Sequence, residues 1–314
     1  MTDAIQIKAF IKNKTCRKAI IVGAGFIGME MSEALRTLSI DAQVIDLLPR
    51  PTARWDPEFS KVIQEELNRQ SITFHGNMCM EAIEKGKDYR LRLNTDKGNM
   101  EADMILIAVG IRPNVKLAHD LGLQIGKTGA IQVDFSQHTS KEGIYAVGDC
   151  CEVYHRVSQS WVHIPLGDVA NKQGRVAGHN IGGGSMIFPG VVGAQSLKLF
   201  TLEVAATGLD ESEALSCGYH PVSTIIWGNA FARSMPGEKR LGIKLVADRA
   251  TGKLLGAQAI GTIGAVSRIN TLSCALWTGL GLGEIAYLDF AYAPPVGPAW
   301  DPIHIAAQEL MRKL

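Results

Sequence analysis

Lys18-Ala19-Ile20-Ile21-Val22-Gly23-Ala24-Gly25-Phe26-Ile27-Gly28 is the stretch on which the fold turns. Its first five residues form a short apolar run rich in β-branched side chains, the pattern of a strand buried on both faces of a parallel sheet. Glycines follow at once, and Phe26–Leu38 then carries the spacing of an amphipathic helix. Working outward, Ala42–Ile45 reads as a second strand, Asp56–Arg69 as a second helix and Ile72–Phe74 as a third strand. Strand and helix alternating in this way specify a parallel sheet with crossover helices. Ala82–Leu93 and Gly98–Met100 read as a polar antiparallel insertion, with turns at Lys85-Gly86 and Lys97-Gly98, before Met104–Val109 returns to the sheet.

Gly23-Ala24-Gly25-Phe26-Ile27-Gly28 is G-x-G-x-x-G. The first glycine makes a tight turn, the second lets backbone approach a pyrophosphate, and the third lets helix pack on strand. Asp46 ends the next strand, 18 residues beyond Gly28, where a carboxylate accepts from a ribose diol. The expectation is a dinucleotide site formed by Gly23, Gly25, Phe26, Ile27, Gly28 and Asp46. A carboxylate repels a 2′-phosphate, which favours NAD over NADP, while Arg50 nearby works the other way; the alternative for Asp46 is a solvated strand-end carboxylate. Gly110, after the returning strand, allows backbone to lie against a cofactor. Gly143–Val147 reads as a strand leading into Gly148-Asp149, a geometry that presents an acidic acceptor to a sugar or ribityl hydroxyl.

Farther along, a helix is expected over Val169–Ile181, stopped by Gly182-Gly183-Gly184. From about Phe188, strand-like runs at Ser223–Trp227, Gly242–Ala247 and Lys253–Ile260 combine with helices over Val266–Thr278 and Asp301–Leu314 to suggest an α+β domain with an antiparallel sheet. A chain of 314 residues is long enough for two domains. Lysine plus arginine number 32 against 31 acidic residues, and a net charge of +1 offers no footprint for nucleic acid or an anionic membrane surface. Hydrophobic residues at 46% and charged residues at 20% exclude a disordered chain. Thirty-three glycines exceed the usual share of about 7%, which suggests backbone placed close to ligands. The longest apolar stretch, Met104–Val109, falls far short of the roughly 20 residues of a membrane helix, and six cysteines without a CxxC pair suit reduced thiols in the cytoplasm. No metal site is visible. Cys150 and Cys151 are adjacent, either a redox pair or two partly buried thiols.

These residues resemble the pyridine nucleotide-disulfide oxidoreductases, in the branch of coenzyme A-disulfide reductases and NADH oxidases. The resemblance rests on Ile21-Val22-Gly23-Ala24-Gly25-Phe26-Ile27-Gly28-Met29-Glu30, Ala108-Val109-Gly110-Ile111-Arg112-Pro113-Asn114 and Ile144-Tyr145-Ala146-Val147-Gly148-Asp149-Cys150. Ile164-Pro165-Leu166, Ala170-Asn171-Lys172-Gln173-Gly174-Arg175 and Tyr292-Ala293-Pro294-Pro295 complete it, in the family's order. It implies an FAD-dependent oxidoreductase passing electrons from NADH through FAD to a disulfide, a persulfide or dioxygen. It further implies a Rossmann-type NAD domain at 18–115 after a connecting segment at 1–17, the carboxyl-terminal part of an FAD domain at 116–187, and a dimerisation domain at 188–314 forming a homodimer. Gly148 and Asp149 would bind the FAD ribityl chain, and Pro165, Leu166 and Ala170 would bring a helix amino end to the flavin, where it stabilises negative charge as the ring accepts hydride. Glu30 would lie near the nicotinamide, or be an ordinary first-turn carboxylate.

The departures are as informative. Family members open with an FAD-binding half that carries its own G-x-G-x-x-G and a redox-active cysteine, whereas these 314 residues hold one such motif and no cysteine in that position. The expectation is therefore a chain lacking that front half, which does not retain FAD alone. Its alternative is a non-catalytic nucleotide-binding or assembly subunit completed by a separate FAD-binding chain. Ser234-Met235-Pro236-Gly237 stands where the branch often has a tyrosine in Tyr-Tyr-Pro-Gly, and Val296 where it often has Tyr or Phe after Pro-Pro. Tyr292 is a candidate substrate-side residue across a dimer interface, or a buried structural tyrosine. His304 lies where other branches place a catalytic histidine, but its Trp-Asp-Pro-Ile-His context favours a packed histidine.

Overall fold

The apolar run that opens the first βα turn sits at the centre of a four-stranded parallel sheet in the computed structural model, which describes residues 2–13, 16–237 and 239–314. The chain forms two compact units, 1–110 with 197–204 and 111–196 with 205–314.

In the first unit, β1 (Lys18–Val22) pairs with β2 (Asp41–Ile45) on one side and β7 (Met104–Ile107) on the other, and β3 (Thr73–His75) extends the sheet beyond β2. Ala19, Ile20 and Ile21 are fully buried, which is why the run carries no polar face. Helices α2 (Phe26–Thr37) and α3 (Pro57–Arg69) cross between strands, and α2 buries Met29 and Leu35 against the sheet. The order β3-β2-β1-β7 means that the chain leaves β1 in one direction and returns on its other side. The crevice beyond the carboxyl ends of β1 and β7 is therefore the topological switch point, where ligands bind in open α/β sheets. The polar insertion is an antiparallel meander of β4 (Met80–Lys85), β5 (Leu91–Thr95) and β6 (Gly98–Ala102). The connecting segment falls partly outside the described residues, but Thr2–Asn13 is helical, α1. Its Ile5-Gln6-Ile7 alternation hides the one-sided spacing of Ile7, Phe10 and Ile11.

The second unit holds α4 (Lys116–Asp120), the hairpin of β8 (Val153–His155) and β9 (Ser160–Val162), and α5 (Gly167–Ile181). A strand expected at Gly143–Val147 is not formed: Tyr145 makes one isolated bridge to His138, and Ala146 N–H donates to Gln137 O at 3.2 Å. The run is apolar enough for a strand, but no described neighbour lies alongside it in ladder register. The antiparallel sheet runs β10 (Gln195–Leu199), β11 (Leu202–Gly208), β14 (Leu254–Gly261), β13 (Arg240–Asp248) and β12 (Pro221–Asn229). Helices α6 (Glu211–Ser216), α7 (Ala265–Thr278), α8 (Leu282–Ile285) and α9 (Pro302–Met311) complete this part, and α7 and α9 bury Ile269, Leu272, Ile303 and Leu310 in its core. No helix among the described residues is long and apolar enough to cross a membrane.

Candidate functional site

The three glycines of the first βα turn differ in what surrounds them. Gly23 has φ +105°, and a Cβ there would lie 2.3 Å from Ala108 O, at the end of β7. A Cβ on Gly28 would meet Gly23 O at 1.9 Å. Both positions are closed by the fold itself. Gly25, the amino-terminal cap of α2, has φ −78°, no side-chain cap and nothing within 4 Å of a built Cβ. It is exposed, so the first turn of α2 faces open space in which backbone N–H groups and the helix dipole favour an anion.

Asp46 closes the other side of this turn. Its carboxylate accepts from Ala24 N–H at 2.6 Å and from Leu48 N–H at 2.7 Å, so it is not a freely solvated strand-end group. Each oxygen keeps a lone pair for a further donor. Thr52 N–H donates to Ala24 O at 2.9 Å, and Trp55 packs edge-on against Phe26 with centroids 5.2 Å apart, which braces the turn from the loop after β2. Arg50, in that loop, is half-buried with its Nε buried and unpaired. Gly110 has φ +101° and nothing within 4 Å of a built Cβ. Around these polar groups Ile27, Leu47, Leu48, Ile107 and Val109 are all more than half exposed. Apart from Ile27, sequence reasoning missed this rim; its signal was large apolar residues at or just after strand ends, where turn residues are the rule. Glu30 is exposed on α2 and lines an open cavity of about 420 Å³ with Glu33, Ala34 and Lys198.

In the second unit the structure brings Gly148, Asp149, Leu166 and Ala170 together. Gly148 has φ +78°, and its built Cβ would touch the Ala170 Cβ at 3.4 Å, which places the Gly-Asp turn against the first turn of α5. Pro165 precedes Leu166, the uncapped amino-terminal residue of that helix. The Asp149 backbone is held, with His163 Nε2 donating to its carbonyl at 2.8 Å, while its carboxylate is exposed and makes no hydrogen bond among the described residues. Gln173, to which sequence reasoning gave no role, is buried beneath this turn.

The adjacent thiols are both free. Cys150 Sγ donates to Val147 O at 3.4 Å, and Cys151 Sγ lies 3.4 Å from Gly148 O and 3.6 Å from Gln173 Oε1. Burial, reinforced by Cys150, pushes the Cys151 thiol up to about 12, so it is neutral and not nucleophilic at physiological pH. His304 is a packed residue: its Nδ1 accepts from Asp301 N–H at 3.2 Å, which leaves Nε2 to donate to Leu288 O at 2.9 Å, and its ring stacks on Phe290. Tyr292 is 58% exposed and therefore not a buried structural tyrosine. With Tyr287, Phe290, Val296 and Trp300 it lines a cavity of about 420 Å³. No cluster of three or more metal-ligating side chains occurs among the described residues.

A glycine turn at the switch point of a parallel sheet, with an acidic residue ending the next strand, defines a dinucleotide-binding α/β protein. The particular family follows from comparison with known proteins: residues 2–174 match the pyridine nucleotide-disulphide oxidoreductase model, and residues 194–302 match that family's dimerisation domain. The chain belongs to this family of NAD(P)H- and FAD-dependent enzymes. It is 36% identical over 309 residues to a CoA-dependent NAD(P)H sulfur oxidoreductase of Pyrococcus furiosus, covering 98% of this chain and 69% of that protein. It is 34% identical to an NADH oxidase of Methanocaldococcus jannaschii, covering 99% of this chain and again 69% of the relative. Among solved structures, an NAD-dependent persulfide reductase from A. fulgidus superposes with a TM-score of 0.94 at 36% identity, over 99% of this chain and 58% of that one. A water-forming NADH oxidase from Lactobacillus brevis, bound to NADH, gives a TM-score of 0.91 at 26% identity, over 98% of this chain and 68% of that one.

Proposed function

We propose that this chain binds NAD(H) on the Gly23–Gly28 turn and serves a flavin-dependent reaction that carries reducing equivalents from NADH to a disulfide, persulfide or dioxygen. One observation carries the reading: of three glycines in six residues, two are closed by backbone collisions and the middle one opens onto solvent at a helix amino terminus. In this reading Phe26 and Ile27 supply N–H groups, Asp46 accepts from the adenosine ribose, Gly110 keeps the edge of β7 free for the cofactor, and Glu30 faces the nicotinamide end. Domain limits of 18–115, 116–187 and 188–314 assign these roles to the NAD domain, a flavin-facing segment and a homodimerising domain. The dimerisation-domain match and the Tyr-Ala-Pro-Pro stretch support the homodimer. Six free thiols suit a reducing cytoplasm.

For FAD the fit is partial. The exposed, unpaired Asp149 carboxylate suits a ribityl hydroxyl, and the uncapped α5 terminus reached through Pro165 and Leu166 suits an anionic ring edge. FAD bound there would supply the two-electron carrier between nicotinamide and acceptor. The pyrophosphate is not matched, because the 314 residues hold one G-x-G-x-x-G and the NAD reading uses it. A second reading, a nucleotide-binding or assembly subunit completed by a separate FAD-binding chain, is supported by the inert Cys151 thiol. Purified 314-residue protein is expected to show no stoichiometric flavin absorbance and no NADH-dependent disulfide reduction by itself. About one FAD per chain, with steady NADH consumption on adding a disulfide, would overturn that expectation and make Cys150 the first thiol to mutate.

A further inference from the structure

We propose that Gln173 is a positioning residue that registers the Gly148–Asp149 turn against α5, and so sets where the Asp149 carboxylate stands relative to that helix's amino terminus. The inference rests on the reading of Asp149 as an acceptor for a flavin hydroxyl. Gln173 lies on the second turn of α5 and is 1% exposed. Its Oε1 accepts from Gly148 N–H at 2.9 Å and its Nε2 donates to Glu152 O at 3.1 Å, so one side-chain amide grips both ends of the five-residue segment 148–152. The same Oε1 receives the weaker Cys151 thiol contact.

Other anchors hold that segment from different directions. Ile131 N–H donates to Cys150 O at 2.8 Å, and Glu152 N–H donates to Ile131 O at 3.0 Å. His163, just ahead of the α5 entry, holds Asp149 O. Gln173 is the link that ties the turn into the body of α5. The result is a backbone claimed on every side and one carboxylate left unclaimed, which is how a preorganised acceptor is built. A buried residue needed only for volume has no need of an amide. The amide at 173 satisfies the part-buried Gly148 N–H and the carbonyl of buried Glu152 together. Displacing the turn by about 1 Å would misalign a carboxylate acting through hydrogen bonds, so the clamp acts on flavin affinity through Asp149.

The test is a double-mutant cycle on the 314-residue chain, with Gln173→Met and Asp149→Ala singly and together. FAD is titrated to millimolar concentration by quenching of flavin fluorescence, and amide hydrogen exchange is followed across 148–152 and, as a control, across 241–247 in β13. Gln173→Met should weaken FAD about tenfold, the loss of one well-placed hydrogen bond, and lower protection at 148–152 while leaving β13 unchanged. In the Asp149→Ala background it should weaken FAD less than twofold further, since residues acting through one another are not additive. Gln173→Glu, which keeps the acceptor for Gly148 N–H, should fall between wild type and Met, and it stands in should the Met variant unfold. Full additivity, or unchanged FAD affinity in Gln173→Met while Asp149→Ala weakens it, would overturn the positioning role alone. No effect of Asp149→Ala, or no FAD binding at all, would instead sink the flavin reading; exchange at 148–152 then decides whether Gln173 clamps the turn.

Discussion

Gly25 and Gly28 sit three residues apart and should fail in opposite ways. Gly28→Val drives a side chain into Gly23 O and should destabilise the fold by about 1–3 kcal/mol or more, seen as a lower thermal midpoint. Gly25→Val meets nothing in the protein and should cost about 1 kcal/mol at the helix cap, yet weaken NADH at least tenfold in a binding titration. Equal losses of stability in the two variants would contradict this division. The G-x-G-x-x-G spacing and the separate duties of its glycines were legible in the sequence; what closes Gly23 was not, because Ala108 is brought from 85 residues away. Cys150 and Cys151 show the same limit. Adjacent thiols read as a redox pair or as two buried groups, and burial decides. A thiol raised to about 12 from an ordinary 9.0 stays protonated at neutral pH, and the stability it confers is fully present below pH 9 and drains away as pH climbs toward 12. Alkylation at pH 8 should therefore label the exposed Cys79, Cys217 and Cys274 and leave Cys151 unmodified.

The amino terminus of α9 shows how an element can absorb a residue that looks functional. Asp301 caps the helix through Ile303 N–H, and Arg268 donates to its carboxylate with Nη2 at 2.7 Å from Oδ2. His304 returns a hydrogen bond from Asp301 N–H and donates to Leu288 O, so it completes a capping box and ties the preceding loop to the helix. His304→Leu should lower stability by about 1–3 kcal/mol, from the buried Asp301 N–H and the part-buried Leu288 carbonyl left without their partner, while NADH affinity stays unchanged in calorimetry. Elements whose apolar period is set by one neighbour were readable from sequence: β1, β2, β7 and α2 fall within one or two residues of their expected limits. Elements that depend on a partner were not. Gly143–Val147 has strand composition but one bridge, and β10 was missed because Gln195–Leu199 mixes Gln, Ser and Lys into a run whose Leu197 and Leu199 are buried.

At the scale of the whole molecule, the chain carries a glycine turn at the switch point of a parallel sheet and a domain matched to the family's dimerisation module. Light scattering at micromolar concentration should give about twice 33.9 kDa; the monomer mass would contradict the homodimer. The apolar rim, the sheet order and the open glycine together support the proposed nicotinamide dinucleotide binding by the first unit, in which Asp46 is the residue proposed to set the preference. The most direct test is a calorimetric titration of NADH and NADPH into the wild-type chain and into Asp46→Ala. NADH should bind more tightly at about one site per chain, and Asp46→Ala should narrow the gap between the two nucleotides by about 1–3 kcal/mol, because the ribose acceptor and the clamp on Ala24 are lost together. NADPH binding as tightly as NADH to the wild-type chain, or a gap untouched by Asp46→Ala, would contradict the account.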